Sequence, residues 1–176
     1  EGPVLLVVCP EISNSENLGG LIRVSAALGA TAMLLGERSC DPLFRQTIRV
    51  SMGAIFSLPI GQSRDCLADL RDLQRLGVTR IATVLDESAT PLASFGPRPP
   101  RCALLFGNEA QGLPPAYVDL CERRLTIPMC LGTDSLNVAV AAGIILHHLV
   151  HQDAYPRAIN QAAAVEPTIS EPNSAA

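Results

Sequence analysis

Apolar positions along the chain fall into two recurring patterns, continuous runs and helical stripes, and the two alternate. Val4–Cys9 is an unbroken apolar run rich in valine, which predicts a strand buried on both faces. Residues 17–29 follow with helical spacing: at 100° per residue Leu18, Leu21, Ile22, Ser25 and Leu28 share one side, and Arg23 falls roughly opposite. Further strands are predicted over 31–35, 54–58, 79–85, 102–106 and 124–127, and short helices over 42–50 and from Pro114 to about Cys121. Residues 64–76 form an amphipathic helix, with Leu67, Leu70 and Leu73 facing in, Asp65, Asp69, Arg71, Asp72 and Arg75 facing out, and Gly77 ending it. A last helix is predicted over 136–150. Alternating strands and helices predict an α/β fold: a mostly parallel six-stranded sheet with helices on both faces.

The bulk properties narrow this picture. A chain of 176 residues suits one domain, expected over 1–151, built on one sheet. Trp is absent and aromatics are scarce, so the core must be assembled from Ala, Val, Leu and Ile. Residues 152–176 are rich in Ala, Pro, Ser and Asn without periodicity and are expected to form a flexible tail. The six cysteines form no C-x-x-C pair and read as buried free thiols of a reducing cytoplasm rather than as a zinc site. His147 and His151 have the one-turn spacing of metal ligands, but no third ligand accompanies them, so no metal is expected. Neither a signal peptide nor a membrane-spanning run is visible. The net charge of −4 weakly disfavours nucleic acid. Every basic side chain other than His is Arg, a residue that grips phosphate with two parallel hydrogen bonds, although a compositional bias is the simpler explanation.

Candidate chemistry sits at three strand-to-helix junctions: Asn17-Leu-Gly-Gly-Leu-Ile-Arg23, Leu105-Phe-Gly-Asn-Glu-Ala-Gln-Gly-Leu113, and Ile127-Pro-Met running on to Ser135-Leu-Asn137. Each combines glycine with a few polar side chains, and in α/β sheets ligands bind beyond the carboxyl ends of the strands. Gly19 and Gly20 weaken a helix by roughly 1 kcal/mol each relative to Ala, which is tolerable where something must pack very close. Asp134 or Ser135 would serve as an N-cap for the last helix, whereas Asn137 invites a tertiary partner. Glu109 is suited either to a ligand or to a favourable seat near a helix N-terminus. No P-loop, G-x-G-x-x-G or G-x-S-x-G pattern occurs, which argues against a phosphate-loop enzyme, a standard dinucleotide site or a serine hydrolase.

The three segments, in order and spacing, resemble the signature motifs of the SpoU/TrmH branch of the SPOUT RNA methyltransferases, over residues 3 to about 150. The resemblance implies a C-terminal trefoil knot, a homodimer that completes the site, and S-adenosylmethionine as donor to a ribose 2′-hydroxyl of tRNA or rRNA. Carried over by position, Leu85, Gly107, Ile127, Met129, Ser135 and Leu136 would contact the cofactor. Arg23 would act at the ribose hydroxyl, and Asn17, Glu109, Ser135 and Asn137 would shape the site around it. Family members often carry a small RNA-binding domain before this one, and the start at Glu1 leaves room for such a domain outside this chain. The rival expectation is a non-catalytic RNA-binding or assembly factor on the same fold; a different α/β nucleotide-binding enzyme is disfavoured by the missing phosphate loops.

Overall fold

The computed structural model describes residues 2–108, 111–130 and 135–151. In chain order the strands are β1 (Val4–Cys9), β2 (Ala32–Leu35), β3 (Ile60–Gln62), β4 (Thr79–Thr83), β5 (Thr90–Pro91), β6 (Arg101–Leu105) and β7 (Arg123–Thr126). The helices are α1 (Ser15–Ala27), α2 (Arg45–Val50), α3 (Cys66–Arg75), α4 (Pro115–Val118) and α5 (Val138–His151). The strands form one sheet in the order β3-β2-β1-β6-β4-β7-β5, and every pairing is parallel. Crossovers place the late strand β6 between β1 and β4, in the middle of the sheet.

Period-two alternation sorts the core into two layers. Leu5, Val7 and Cys9 of β1, with Cys102 and Leu104 of β6, pack against Leu18, Leu21 and Ile22 of α1 and Ala142, Ile145, Leu146 and Leu149 of α5. The neighbouring positions Val8, Ala103 and Leu105 face the other way, onto Cys66 and Leu70 of α3 and Tyr117 of α4. Helices therefore cover both faces. Leu18, Leu21 and Ile22 are fully buried, each worth about 1.5–3 kcal/mol of transfer free energy.

Sequence and structure part in four places. There are seven strands among the described residues, not six; the extra one, Thr90–Pro91, is a two-residue edge, too short to leave a pattern and placed where proline is tolerated. The strand expected over 54–58 is a single 3-10 turn, Ala54–Phe56, started by Met52 and Gly53 at positive φ; the pairing falls to Ile60–Gln62 instead. A short apolar run carries no periodicity with which to tell the two apart. The helix expected from residue 42 begins at Arg45, because Asp41 holds a turn: its Oδ1 accepts from Leu43 N at 2.8 Å and its carbonyl from Phe44 N at 3.2 Å. Finally, α1 starts two residues early, capped by Asn14, whose Oδ1 accepts from the backbone N–H of Glu16 and Asn17. The segment 152–176, expected to be a flexible tail, lies outside the described residues.

One buried charge ties the sheet to the chain entering β7. Arg80 is 2% exposed, and its guanidinium binds Glu122 in a fork, Nη2 to Oε1 at 2.5 Å and Nε to Oε2 at 3.3 Å, while Nη1 donates to the Leu70 carbonyl at 2.9 Å. Burial pushes the Glu122 carboxyl up, but hydrogen bonds from Arg80 and its charge outweigh that and hold it below the ordinary range. Because the folded value is depressed, the stabilisation is complete above the unfolded carboxylate pKa and is lost as pH falls through the lowered one. Glu122→Gln is expected to cost about 2 kcal/mol at neutral pH, discounted for the partial exposure of Glu122, and to flatten the acid limb of a stability-versus-pH curve measured by urea unfolding.

Candidate functional site

The carboxyl ends of β4, β6 and β7 open together into a cavity of about 460 Å³. Its wall is made by Thr83, Val84 and Leu85 after β4, by Phe106 to Asn108 and Gln111 to Leu113 after β6, and by Ile127 and Met129 after β7; Ser135, Leu136 and one face of α5 complete it. The strand ends are cross-tied: Thr83 Oγ1 donates to the Leu105 carbonyl at 2.8 Å, Val84 N to the Leu125 carbonyl at 2.9 Å, and Phe106 N to the Val8 carbonyl at 2.9 Å. The lining is largely apolar, with a few polar groups at the rim, the composition of a small-molecule site, and the volume lies in the range such sites occupy.

The bend after β6 explains its glycines. Asn108 and Gly112 exchange two backbone hydrogen bonds, at 3.0 and 2.8 Å, which bring Gly112 back beside Asn108. Gly112 turns the chain at φ +68°. Gly107 lies directly under the return strand: a Cβ there would sit 2.2 Å from the Gly112 carbonyl carbon and 2.3 Å from Leu113 N. Asn108 Nδ2 donates to the Glu11 carbonyl at 3.2 Å, anchoring the loop to the chain leaving β1.

The first and third motifs meet away from the cavity wall. Asn137 Nδ2 donates to Asn17 Oδ1 at 2.9 Å across 120 residues of sequence. The Asn137 side-chain oxygen accepts from Ala139 N at 2.9 Å and Val140 N at 3.4 Å, so Asn137 caps α5. This corrects the expectation of a cap at Asp134 or Ser135: Ser135 is exposed and lines the cavity, and Asp134 lies outside the described residues. The expected tertiary partner of Asn137 is Asn17. The paired glycines of α1 are used for close approach: a Cβ on Gly19 would meet Val50 Cβ at 2.7 Å, and one on Gly20 would meet Ala139 Cβ at 2.9 Å.

Of the residues singled out from sequence, Leu85, Gly107, Ile127, Met129, Ser135 and Leu136 all line the cavity. Asn17 and Asn137 form the adjoining pair. Arg23 does not line the cavity of its own chain; it stands exposed on α1, with no hydrogen bond or ion pair among the described residues. Glu109 lies outside the described residues. Sequence reading passed over Thr83 and Val84, which looked like plain strand residues; their position at a carboxyl strand end was the available signal.

Other chemistries find little support. Burial pushes the Cys66 and Cys121 thiols up to about 12, which removes them as nucleophiles. Among the described residues no group of three His, Cys, Asp or Glu could hold a metal, and no helix is long and apolar enough to cross a membrane. The rings of His147 and His151 pack on each other at 4.8 Å.

Comparison with known proteins points the same way. The family model described as SpoU rRNA Methylase matches residues 4–147. An uncharacterized tRNA/rRNA methyltransferase of Mycobacterium tuberculosis is 35% identical over 148 residues, 83% of this chain and 51% of the relative. The 23S rRNA (guanosine-2′-O-)-methyltransferase RlmB of Ralstonia nicotianae is 33% identical over 152 residues, 86% of this chain and 60% of that protein. Among solved structures, the AdoMet-bound rRNA methyltransferase of Sinorhizobium meliloti superposes with a TM-score of 0.79 at 29% identity, covering 88% of this chain and 58% of that one. The chain spans about half the length of the first curated relatives it matches.

Proposed function

We propose, for a chain that belongs to the SpoU rRNA methylase family, that it transfers a methyl group from S-adenosylmethionine to a ribose 2′-hydroxyl of rRNA or tRNA. The observation that carries the reading is the convergence of Leu85, Gly107, Ile127, Met129, Ser135 and Leu136, distant in sequence, on one cavity at the strand ends. S-adenosylmethionine bound there supplies an electrophilic methyl group for in-line displacement, a reaction that needs no metal.

The chain's own residues do the rest. Apolar side chains from Leu85, Ile127, Leu136 and Val138 match the flat adenine ring and exclude water from it. Gly107 and Gly112 carry no side chain, which leaves the wall after β6 open to close approach by a ligand. Alignment of oxygen, methyl and sulfur supplies several kcal/mol. A hydroxyl oxygen developing negative charge also needs a cation. An arginine with pKa above about 12 is a poor base but a good partner for alkoxide or phosphate, and Arg23 is given that role. Glu109 and Ser135 are assigned to the acceptor side, with Asn17 and Asn137 holding α1 and α5 in register.

Because Arg23 stands outside its own chain's cavity, the complete site is assigned to a homodimer in which one protomer's arginine faces the other's cofactor. The surface that suits such a dimer is on α5, apolar as far as Leu146, with Val140 and Ile144 52% and 42% exposed and a shallow groove lined by Leu28, Leu92, Gly143, Ile144, His147 and His148. Ile144→Glu is expected to convert a dimer to monomers in sedimentation equilibrium and to abolish methylation with it; an unchanged dimer would place the interface elsewhere. The C-terminal segment is further proposed to thread as a trefoil knot, the topology the family resemblance carries.

The test of function is direct. The chain is incubated with S-adenosylmethionine and unmodified ribosomal or transfer RNA, and the RNA is digested to nucleosides for mass spectrometry. A 2′-O-methylated nucleoside is the expected product. Cofactor binding without methylation of any RNA would favour a non-catalytic RNA-binding factor.

A further inference from the structure

The segment from Leu43 to Phe56 combines three unusual features. The first is burial. Of the four phenylalanines, Phe95 and Phe106 are almost fully buried, whereas Phe44 and Phe56 are 54% and 75% exposed. Leu43 and Met52 are exposed beside them, at 64% and 73%. A chain with so few aromatics would ordinarily spend them in its core.

The second is charge. In a chain of net charge −4, no acidic side chain occurs between Asp41 and Asp65, while Arg45, Arg49 and Arg64 do. Arg45 and Arg49 stand one turn apart on α2, both exposed and neither ion-paired among the described residues. Two carboxylates bonded to this segment are engaged with it otherwise: Glu16 accepts from Gln46 Nε2 at 2.8 Å, and Asp41 Oδ1 from Leu43 N at 2.8 Å.

The third is backbone. Met52 is the one non-glycine residue with positive φ among those described, at +52°. A side chain there is strained, and Gly or Asn would reduce the strain. Here the strain holds an apolar side chain out in water. Such outliers cluster where a surface binds something.

We propose that this segment is a docking surface for the substrate RNA: unstacked bases lie on Phe44, Met52 and Phe56, while Arg45 and Arg49 hold the flanking phosphates. RNA is favoured over a protein partner because aromatic and arginine side chains are interleaved in an acid-free stretch, the combination that binds single-stranded nucleotides by stacking and charge. Position supports it. Both α2 and the 3-10 turn at Ala54–Phe56 pack on α1, and the close approach of Gly19 to Val50 locks α2 to the helix that carries Asn17 and Arg23. A nucleotide held on α2 is thereby held at a fixed offset from Arg23. The inference rests on the RNA-methylating reading and specifies where that RNA lies.

The experiment uses the full chain and 4-thiouridine-substituted ribosomal RNA. Wild type, Phe44→Ala/Phe56→Ala and Arg45→Gln/Arg49→Gln are compared by filter binding across a salt series, by photocrosslink mapping, and by calorimetry with S-adenosylmethionine. Both variants are expected to bind RNA at least about tenfold more weakly with cofactor affinity unchanged, and the arginine variant to flatten the salt dependence by about two phosphate contacts. Crosslinks in wild type should fall within residues 43–56. RNA affinity unchanged in both variants, or crosslinks confined elsewhere, would overturn the docking surface while leaving methylation by the wild type intact as evidence for the proposed function. A changed sedimentation coefficient in the phenylalanine variant, with RNA affinity retained, would overturn it in favour of a contact between protein chains.

Discussion

Arg23→Ala is expected to lower methyl transfer by about 10²-fold or more while leaving S-adenosylmethionine affinity near that of wild type. The side chain is exposed, makes no hydrogen bond or ion pair among the described residues and does not line the cavity of its own chain, so its removal should disturb neither the fold nor the cofactor wall. On the proposed mechanism its loss instead removes the cation from beside the reacting oxygen. In kinetic terms kcat and kcat/KM should fall together, the pattern of an interaction made in the transition state. Lysine at this position should recover only part of the rate, because an ammonium cannot hold two oxygens in a planar fork. Full activity in the alanine variant would remove Arg23 from the mechanism.

The second large effect is expected at Gly107. A Cβ at this position would lie 2.2 Å from the Gly112 carbonyl carbon, a backbone atom that no rotamer change can move aside. Gly107→Val must therefore open the Asn108–Gly112 bridge and displace the loop that walls the cavity. Overpacking of this kind costs about 1–3 kcal/mol, so the protein should still fold, with a melting temperature several degrees lower. Cofactor binding should fall by about 100-fold or more, because the displaced backbone is the wall itself. The two variants also test each other. Arg23→Ala and Gly107→Val chains are each expected to be inactive alone and are coexpressed. Mixed dimers should regain activity, because one of their two sites combines an intact cavity with the partner's intact arginine. No recovery in purified mixed dimers would place Arg23 in service of its own chain.

Much of this was legible in the sequence, for reasons that can be named. The buried strands β1 and β6 announce themselves as apolar runs, and α3 by its stripe of Leu67, Leu70 and Leu73 against charged neighbours. The site could be read because its glycines break local propensity: Gly19, Gly20 and Gly107 make sense only where another backbone or helix comes close, and each does. What could not be read was decided by tertiary pairing or by a single turn. Residues 54–58 have strand composition, yet Gly53 turns the chain and Ile60–Gln62 takes the place beside β2. Asn137 caps α5 in place of Ser135 because Asn17, far away in sequence, fixes its amide. The exposure of Phe44 and Phe56 was equally hidden, since a phenylalanine in an expected helix or strand reads as core until the packing is seen.

Titration calorimetry of the purified chain with S-adenosylmethionine, run beside Gly107→Val, bears most directly on whether the strand-end cavity is a methyl-donor site. Saturable heat from wild type and none from the variant is the expected result. Equal heats from both, or none from wild type at high protein concentration, would mean that the bends after β4, β6 and β7 enclose something other than that cofactor.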